Sequence, residues 1–144
     1  MTRRRYVETS ALLRVLLEGD EALRPDLSGE GLLTSALTFV EASRAISRAR
    51  REGRLDPRDA REVERQLAAF ERSCDVVRIE DEVLRRARGE FPVEPVRSLD
   101  AIHLASVRIL DEELGGLEVV SCDDRIRRNA VALGFALVPP GEPT

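Results

Sequence analysis

The sequence predicts an α/β fold: one domain built around a central parallel sheet of about four strands flanked by helices. Three observations predict it. Short β-branched runs alternate with helical patterns of about ten or more residues, the signature of crossover helices covering a parallel sheet. The 144 residues suit one domain, large enough to bury a core without disulfides or a structural metal. No internal repeat or low-complexity block interrupts the chain, so residues 1–138 form the domain and residues 139–144 a loose tail.

Residues 4–7 are β-compatible, and Thr9 or Ser10 can cap a helix that carries Ala11, Leu12, Val15 and Leu16 toward Gly19. A polar turn with Pro25 and Gly29 leads into one long helical stretch, residues 32–51, stopped at Gly53. Asp56 before Pro57 pairs a good N-cap with proline at the first helical position. Ala60, Val63, Leu67 and Phe70 then repeat on one helical face. Residues 75–79 read as a strand, and Glu80 or Asp81 opens a helix to about Gly89. The loop FPVEPV separates it from a helix capped by Ser98 and running to Leu114, apolar nearly all round and therefore buried. Residues 117–122 are strongly β, Asp123 or Asp124 opens another helix that Gly134 ends, and residues 135–138 give the last strand.

Composition narrows the chemistry. Cys74 and Cys122 are isolated and there is one histidine, so neither a disulfide framework nor a zinc site is expected. All 23 basic residues are arginine; without lysine a Walker-type P-loop is excluded. No G-x-S-x-G elbow marks a serine hydrolase. The formal net charge of -4 argues against a general nucleic-acid binder, though not against an enzyme that meets nucleic acid through metal ions and a local arginine patch. The basic-then-apolar start has the outline of a signal peptide, but Glu8 and Arg14 interrupt it and no spanning run follows. A soluble cytoplasmic chain with no membrane association is expected.

Four acidic residues stand where chemistry would gather. Glu8 and Asp123 lie where a β run gives way to a helix, the edge at which open α/β sheets place ligands. Glu41 and Asp100 lie in helices that can lean over that edge. Each has an ordinary reading: Glu8 favoured by a helix dipole, Asp123 or Asp124 as a cap, Asp100 satisfied by helix N–H groups, Glu41 paired with Arg44 or Arg48. Gathered together, they would repel one another and call for a cation; oxygen-only ligation selects Mg²⁺ or Mn²⁺. Such an ion suits phosphodiester hydrolysis. His103, one turn beyond Asp100, is read as a structural or supporting hydrogen-bonding residue, and Ser10, Ser121 and Thr9 as caps or orienting hydroxyls. Arg44, Arg48 and Arg51 follow Glu41 at helical spacing, a solvated face or a stripe for substrate phosphates.

The segments YVETSALL, LTFVEASRA, SLDAIHLAS and VVSCDDRIRRNAVALG together resemble a PIN-domain ribonuclease of the VapC toxin type, over nearly the whole chain and in the family's order. The resemblance implies a PIN-like domain over residues 1–138 and a Mg²⁺ or Mn²⁺ site made by Glu8, Glu41, Asp100 and Asp123. It further implies RNA as substrate, cut to 5′-phosphate and 3′-hydroxyl ends, a VapB-like antitoxin that blocks the site, and a homodimer. Ser121 matches the family's hydroxyl two positions before the last acid, and Asp124 is an extra carboxylate. One departure stands out: the family's first acid is usually Asp, and Glu8 adds roughly 1.5 Å of reach.

Overall fold

The computed structural model describes residues 3–141; of the expected tail, residues 142–144 lie outside the described residues. The chain runs β1 (Arg4–Val7), α1 (Thr9–Glu18), β2 (Leu32–Ser35), α2 (Ala36–Arg51), α3 (Pro57–Ser73), β3 (Asp75–Val77), α4 (Asp81–Ala87), α5 (Ser98–Leu114), β4 (Leu117–Val120), α6 (Asp124–Ala132) and β5 (Ala136–Val138). The strands form one sheet in the order β3-β2-β1-β4-β5, every pair parallel.

The sheet has five strands rather than about four, because the stretch expected to be wholly helical begins with β2. Ser35 is both the last residue of that strand and the N-cap of α2, its hydroxyl accepting the Leu37 N–H at 3.0 Å. No turn residue separates strand from helix, so the hydrophobic periodicity runs on without a break. Thr34 tightens the join by donating its hydroxyl to the Val7 carbonyl at 2.7 Å.

Alternation along the strands feeds two cores, as the two-residue period requires. Val7, Leu32, Val120 and Val138 face one side, with Ala11, Leu12 and Val15 of α1, Ile46 of α2 and Val63, Leu67 and Phe70 of α3. Tyr6, Leu33 and Val119 face the other, with Leu104, Val107 and Leu110 of α5 and Ile126 and Ala130 of α6. The amphipathic stripe read in α3 and the buried character read in α5 are both realised.

Two arrangements fix the entries to α3 and to α5, the second of which bears Asp100. Asp56 caps α3 through a 2.8 Å bond from the Asp59 N–H, as its place before Pro57 suggests. The segment leading into α5 is pinned from α6: buried Asn129 accepts from the Val93 N–H and donates to the Val93 carbonyl, both at 2.9 Å. α5 itself begins at its expected cap residue, so the cap lies one position earlier. Arg97 holds the cap position with no side-chain bond, and Ser98 is the first helical residue.

Candidate active site

β1 and β4 lie side by side at the sheet centre, Val7 in register with Val120. From β1 the chain continues to β2 on one side, while β4 occupies the other, so their C-terminal ends form the crevice at which strand order reverses. Glu8 follows β1 directly, Asp123 is the N-cap of α6 just beyond β4, Asp100 lies in the first turn of α5, and Glu41 in the second turn of α2.

Glu8 is 5% exposed and is itself the N-cap of α1, the position expected of Thr9 or Ser10, which instead begin the helix. A glutamate side chain is long enough to fold back over its own helix start. Its Oε2 accepts the Ser10 N–H at 3.0 Å, and its Oε1 accepts the hydroxyls of Ser10 at 2.5 Å and Ser121 at 2.6 Å. Those hydroxyls also accept in turn, Ser10 from the Cys122 N–H at 2.8 Å and Ser121 from the Asp123 N–H at 3.1 Å. Asp123 Oδ1 receives the N–H groups of Arg125 and Ile126 at 2.9 and 3.2 Å. The two serines therefore stitch the first acid to the last across the ends of β1 and β4. Asp124, the neighbouring extra carboxylate, is exposed as the first residue of α6.

Glu41 is held by another set of groups. Its Oε1 accepts the Thr9 hydroxyl at 2.7 Å and lies 2.6 Å from His103 Nε2, while His103 Nδ1 is 2.8 Å from the Tyr6 hydroxyl. The Tyr6 and His103 rings meet edge-on, with centroids 6.0 Å apart. Burial works to raise Glu41, but the hydrogen bonds from His103 and Thr9 outweigh it and hold the carboxyl below the usual range. Burial, with the charges of Glu8 and Glu41 nearby, pushes the Tyr6 phenol far up, so it remains a hydroxyl. The pairing of Glu41 with Arg44 or Arg48 that its ordinary reading supposes does not form. Both arginines are exposed, and among the described residues their side chains have no ion pair.

Asp100 lies between these two arrangements. It is half-buried and, among the described residues, receives no hydrogen bond, so the helix N-terminus does not satisfy it as its ordinary reading supposed. Burial raises its pKa first, the charges of Asp123 and Glu8 raise it further, His103 opposes them, and Glu41 adds a smaller push upward. All three other candidate acids thus act on Asp100. A cleft of about 380 Å³ lined by Ser10, Arg14, Arg54, Cys122 and Asp123 opens beside them.

Residues 5–132 match the PIN domain. The chain belongs to the PIN-domain family. Among its PIN-domain relatives, Ribonuclease VapC35 of Mycobacterium tuberculosis is 36% identical over 142 residues, spanning 95% of this chain and 97% of that protein. Ribonuclease VapC46 of the same organism is 35% identical over 139 residues, spanning 94% and 96%. The crystal structure of PAE2754 from Pyrobaculum aerophilum superposes with a TM-score of 0.62 at 26% identity, over 95% of this chain and 85% of that one. A toxin-antitoxin complex from Klebsiella pneumoniae gives 0.59 at 14% identity over 98% of both chains, a likeness of fold.

The four acids of this PIN domain fit a hard divalent ion in chemistry, all being carboxylates, with the charges of three acting on the fourth, Asp100. They do not form a ready-made cage: among the described residues no three His, Cys, Asp or Glu side chains converge closely enough to hold an ion directly. Glu8 is turned to its serines and Glu41 to His103, leaving Asp100 and the second oxygens of Glu41 and Asp123 without donors among the described residues. An ion that keeps several of its waters, as Mg²⁺ does, suits such spacing. Tyr6 is the member of the arrangement that sequence reasoning missed. As an apolar-looking strand residue it gave no signal, and only its contact with His103 across 97 positions reveals it.

Proposed function

We propose that this chain is a VapC-type endoribonuclease, the toxin of a toxin–antitoxin pair, whose Glu8, Glu41, Asp100 and Asp123 bind Mg²⁺ or Mn²⁺ and serve RNA phosphodiester hydrolysis. The observation that supports this reading best is that the charges of three carboxylates act on Asp100, a half-buried acid that receives no hydrogen bond among the described residues. Like charges placed together without a counter-charge are costly unless a cation is bound. When bound, such an ion supplies neutralisation of phosphoryl charge and activation of the attacking water. The chain's own residues hold the arrangement: Ser10 and Ser121 fix Glu8, the α6 N-terminus fixes Asp123, and Thr9 and His103 fix Glu41. Arg44 and Arg48, without an ion pair among the described residues and one and two turns beyond Glu41, are the proposed contacts for RNA phosphates. A VapB-like antitoxin covering the acidic crevice, self-association as a homodimer and a cytoplasmic location complete the proposal. Among the described residues no helix is long and apolar enough to cross a membrane.

The test is cleavage of a mixed RNA panel with Mn²⁺ or with chelator. The wild type should cut only with the ion, and Asp100→Asn should lose at least roughly 10²–10³-fold of that activity, the scale of removing one preorganised electrostatic group. An Asp100→Asn protein that is folded and fully active would remove the proposed mechanism. One observation favours a second reading, a PIN-like module of weak or no activity that receives a basic partner segment: both oxygens of Glu8 are already occupied by its helix cap and serines. A ligand that binds only the folded state raises its melting temperature. Absence of any Mn²⁺-induced shift would select this second reading.

A further inference from the structure

We infer that His103, backed by Tyr6, is a positioning residue that commits one oxygen of Glu41 to the protein and leaves the other for the pocket. The inference rests on the cation-site reading above. Glu41 Oε1 lies 2.6 Å from His103 Nε2 and 2.7 Å from Thr9 Oγ1, while among the described residues Oε2 has no donor. An ionised carboxylate at that distance requires a proton on Nε2, because a bare imidazole nitrogen would set lone pair against lone pair. The Tyr6 hydroxyl, 2.8 Å from Nδ1, holds the ring in place from the opposite side. Tyr6 and His103 are 0% and 1% exposed, so neither touches water or substrate. Their polar atoms lead from the central strand through α5 to Glu41.

A purely structural origin explains this poorly. Burying a phenol, an imidazole and a carboxylate incurs desolvation that an apolar filling of the same volume avoids. What the network adds is a fixed orientation for a long side chain that otherwise samples many rotamers. Histidine at this place acts on the ion through Glu41 and is not itself a ligand. That separates it from the four acids.

The experiment is calorimetric titration of Mn²⁺ without RNA, on wild type, His103→Leu, His103→Gln, Tyr6→Phe and Thr9→Val, each checked for folding in chelator. His103→Leu should weaken Mn²⁺ binding by about 10–100-fold, the usual effect of losing a partner of a ligand. His103→Gln, which returns an N–H donor near the Nε2 position, should recover most of it. Tyr6→Phe and Thr9→Val should fall between, and they carry the test if His103→Leu does not fold. The chain has one histidine, so its imidazole ¹⁵N signals belong to His103 without further assignment. They should report a proton on Nε2 that responds to Glu41→Gln. Unchanged Mn²⁺ affinity in the folded variants, or a neutral ring protonated on Nδ1, overturns the inference alone. A wild type that binds no Mn²⁺ overturns the cation-site reading and this inference together.

Discussion

The two tethers on either side of Asp100 are built from different materials. Around Glu8 and Asp123 the acids receive backbone N–H groups and short hydroxyls, and each acid is also the N-cap of a helix, α1 or α6. Around Glu41 the acid receives only side chains, Thr9 of α1 and His103 of α5, with Tyr6 of β1 behind His103. A carboxylate that caps a helix cannot be disturbed without loosening that helix, because the cap satisfies backbone donors that have no other partner. A carboxylate held only by side chains can be released while every helix keeps its own bonds. The first arrangement therefore ties site geometry to stability, and the second sets site geometry with little hold on the fold.

Breaking one tether on each side tests that distinction, and Ser121→Ala should give the largest stability change. Ser121 is fully buried, donates to Glu8 and accepts from the Asp123 N–H, so its loss leaves both partners short. Hydrogen bonds to charged groups are worth about 1.5–3 kcal/mol, and denaturant unfolding in chelator should show a loss of that order. Tyr6→Phe removes a neutral contact on the other side and should cost nearer about 1 kcal/mol by the same measurement. Equal losses from the two variants would erase the contrast.

A smaller effect separates Asp100 from Glu41 by sign. The folded-state pKa of Glu41 is lowered, so its contribution to stability is present above the ordinary glutamate value of about 4.3 and is lost as pH falls through the lower folded value. That of Asp100 is raised, so its favourable contribution is present below the ordinary aspartate value of about 3.9 and is lost as pH rises through the folded value. In chelator at pH 7, Asp100→Asn should therefore raise the melting temperature and Glu41→Gln lower it. Both groups are partly exposed and screened by water, so each shift should be small, roughly 2–4 °C. Melting curves from pH 3 to 7 should show the two differences shrinking together toward acid. Shifts of the same sign at pH 7 would contradict the electrostatic assignment.

The same contrast marks what the sequence discloses. The Glu8 side is legible in its caps, which are local: Ser121 stands two residues from Asp123, and Ser10 two from Glu8, whereas the bonds that join the two strand ends span 112 and 113 positions and are not. That Glu8 itself is the α1 cap was not legible, since Thr9 and Ser10 are stronger candidates by residue type. The Glu41 side joins residues 32, 62, 94 and 97 positions apart, and no periodicity encodes such pairings. His103 drew notice as a lone histidine one turn from Asp100; Tyr6 did not, since strand aromatics usually serve the core. β2 escaped for a related reason: Leu32 and Leu33 suit a strand or a helix equally, and Ser35 serves as the end of one and the cap of the other.

The smallest expected effect concerns Arg44 and Arg48, which lie on the side-chain-tethered flank and have no ion pair among the described residues. Arg14, at the cleft beside Asp123, is paired with Glu18 at 3.0 Å, and Arg54 with Glu52 at 3.0 Å. Free guanidiniums accept a phosphate without first giving up a carboxylate, so the α2 stripe should carry more of the RNA contact than the cleft does. Each phosphate neutralised on a single strand contributes about 0.7 to the slope of log affinity against log salt. With RNA held uncut in chelator, Arg44→Gln plus Arg48→Gln should lower that slope by roughly 1.4, two such contacts, while Arg14→Gln plus Arg54→Gln changes it less. These exposed substitutions should leave the fold untouched. A larger change from the Arg14 and Arg54 pair would move the path of the RNA strand from α2 to the cleft beside Asp123, and so to the side of the site whose acids are helix caps.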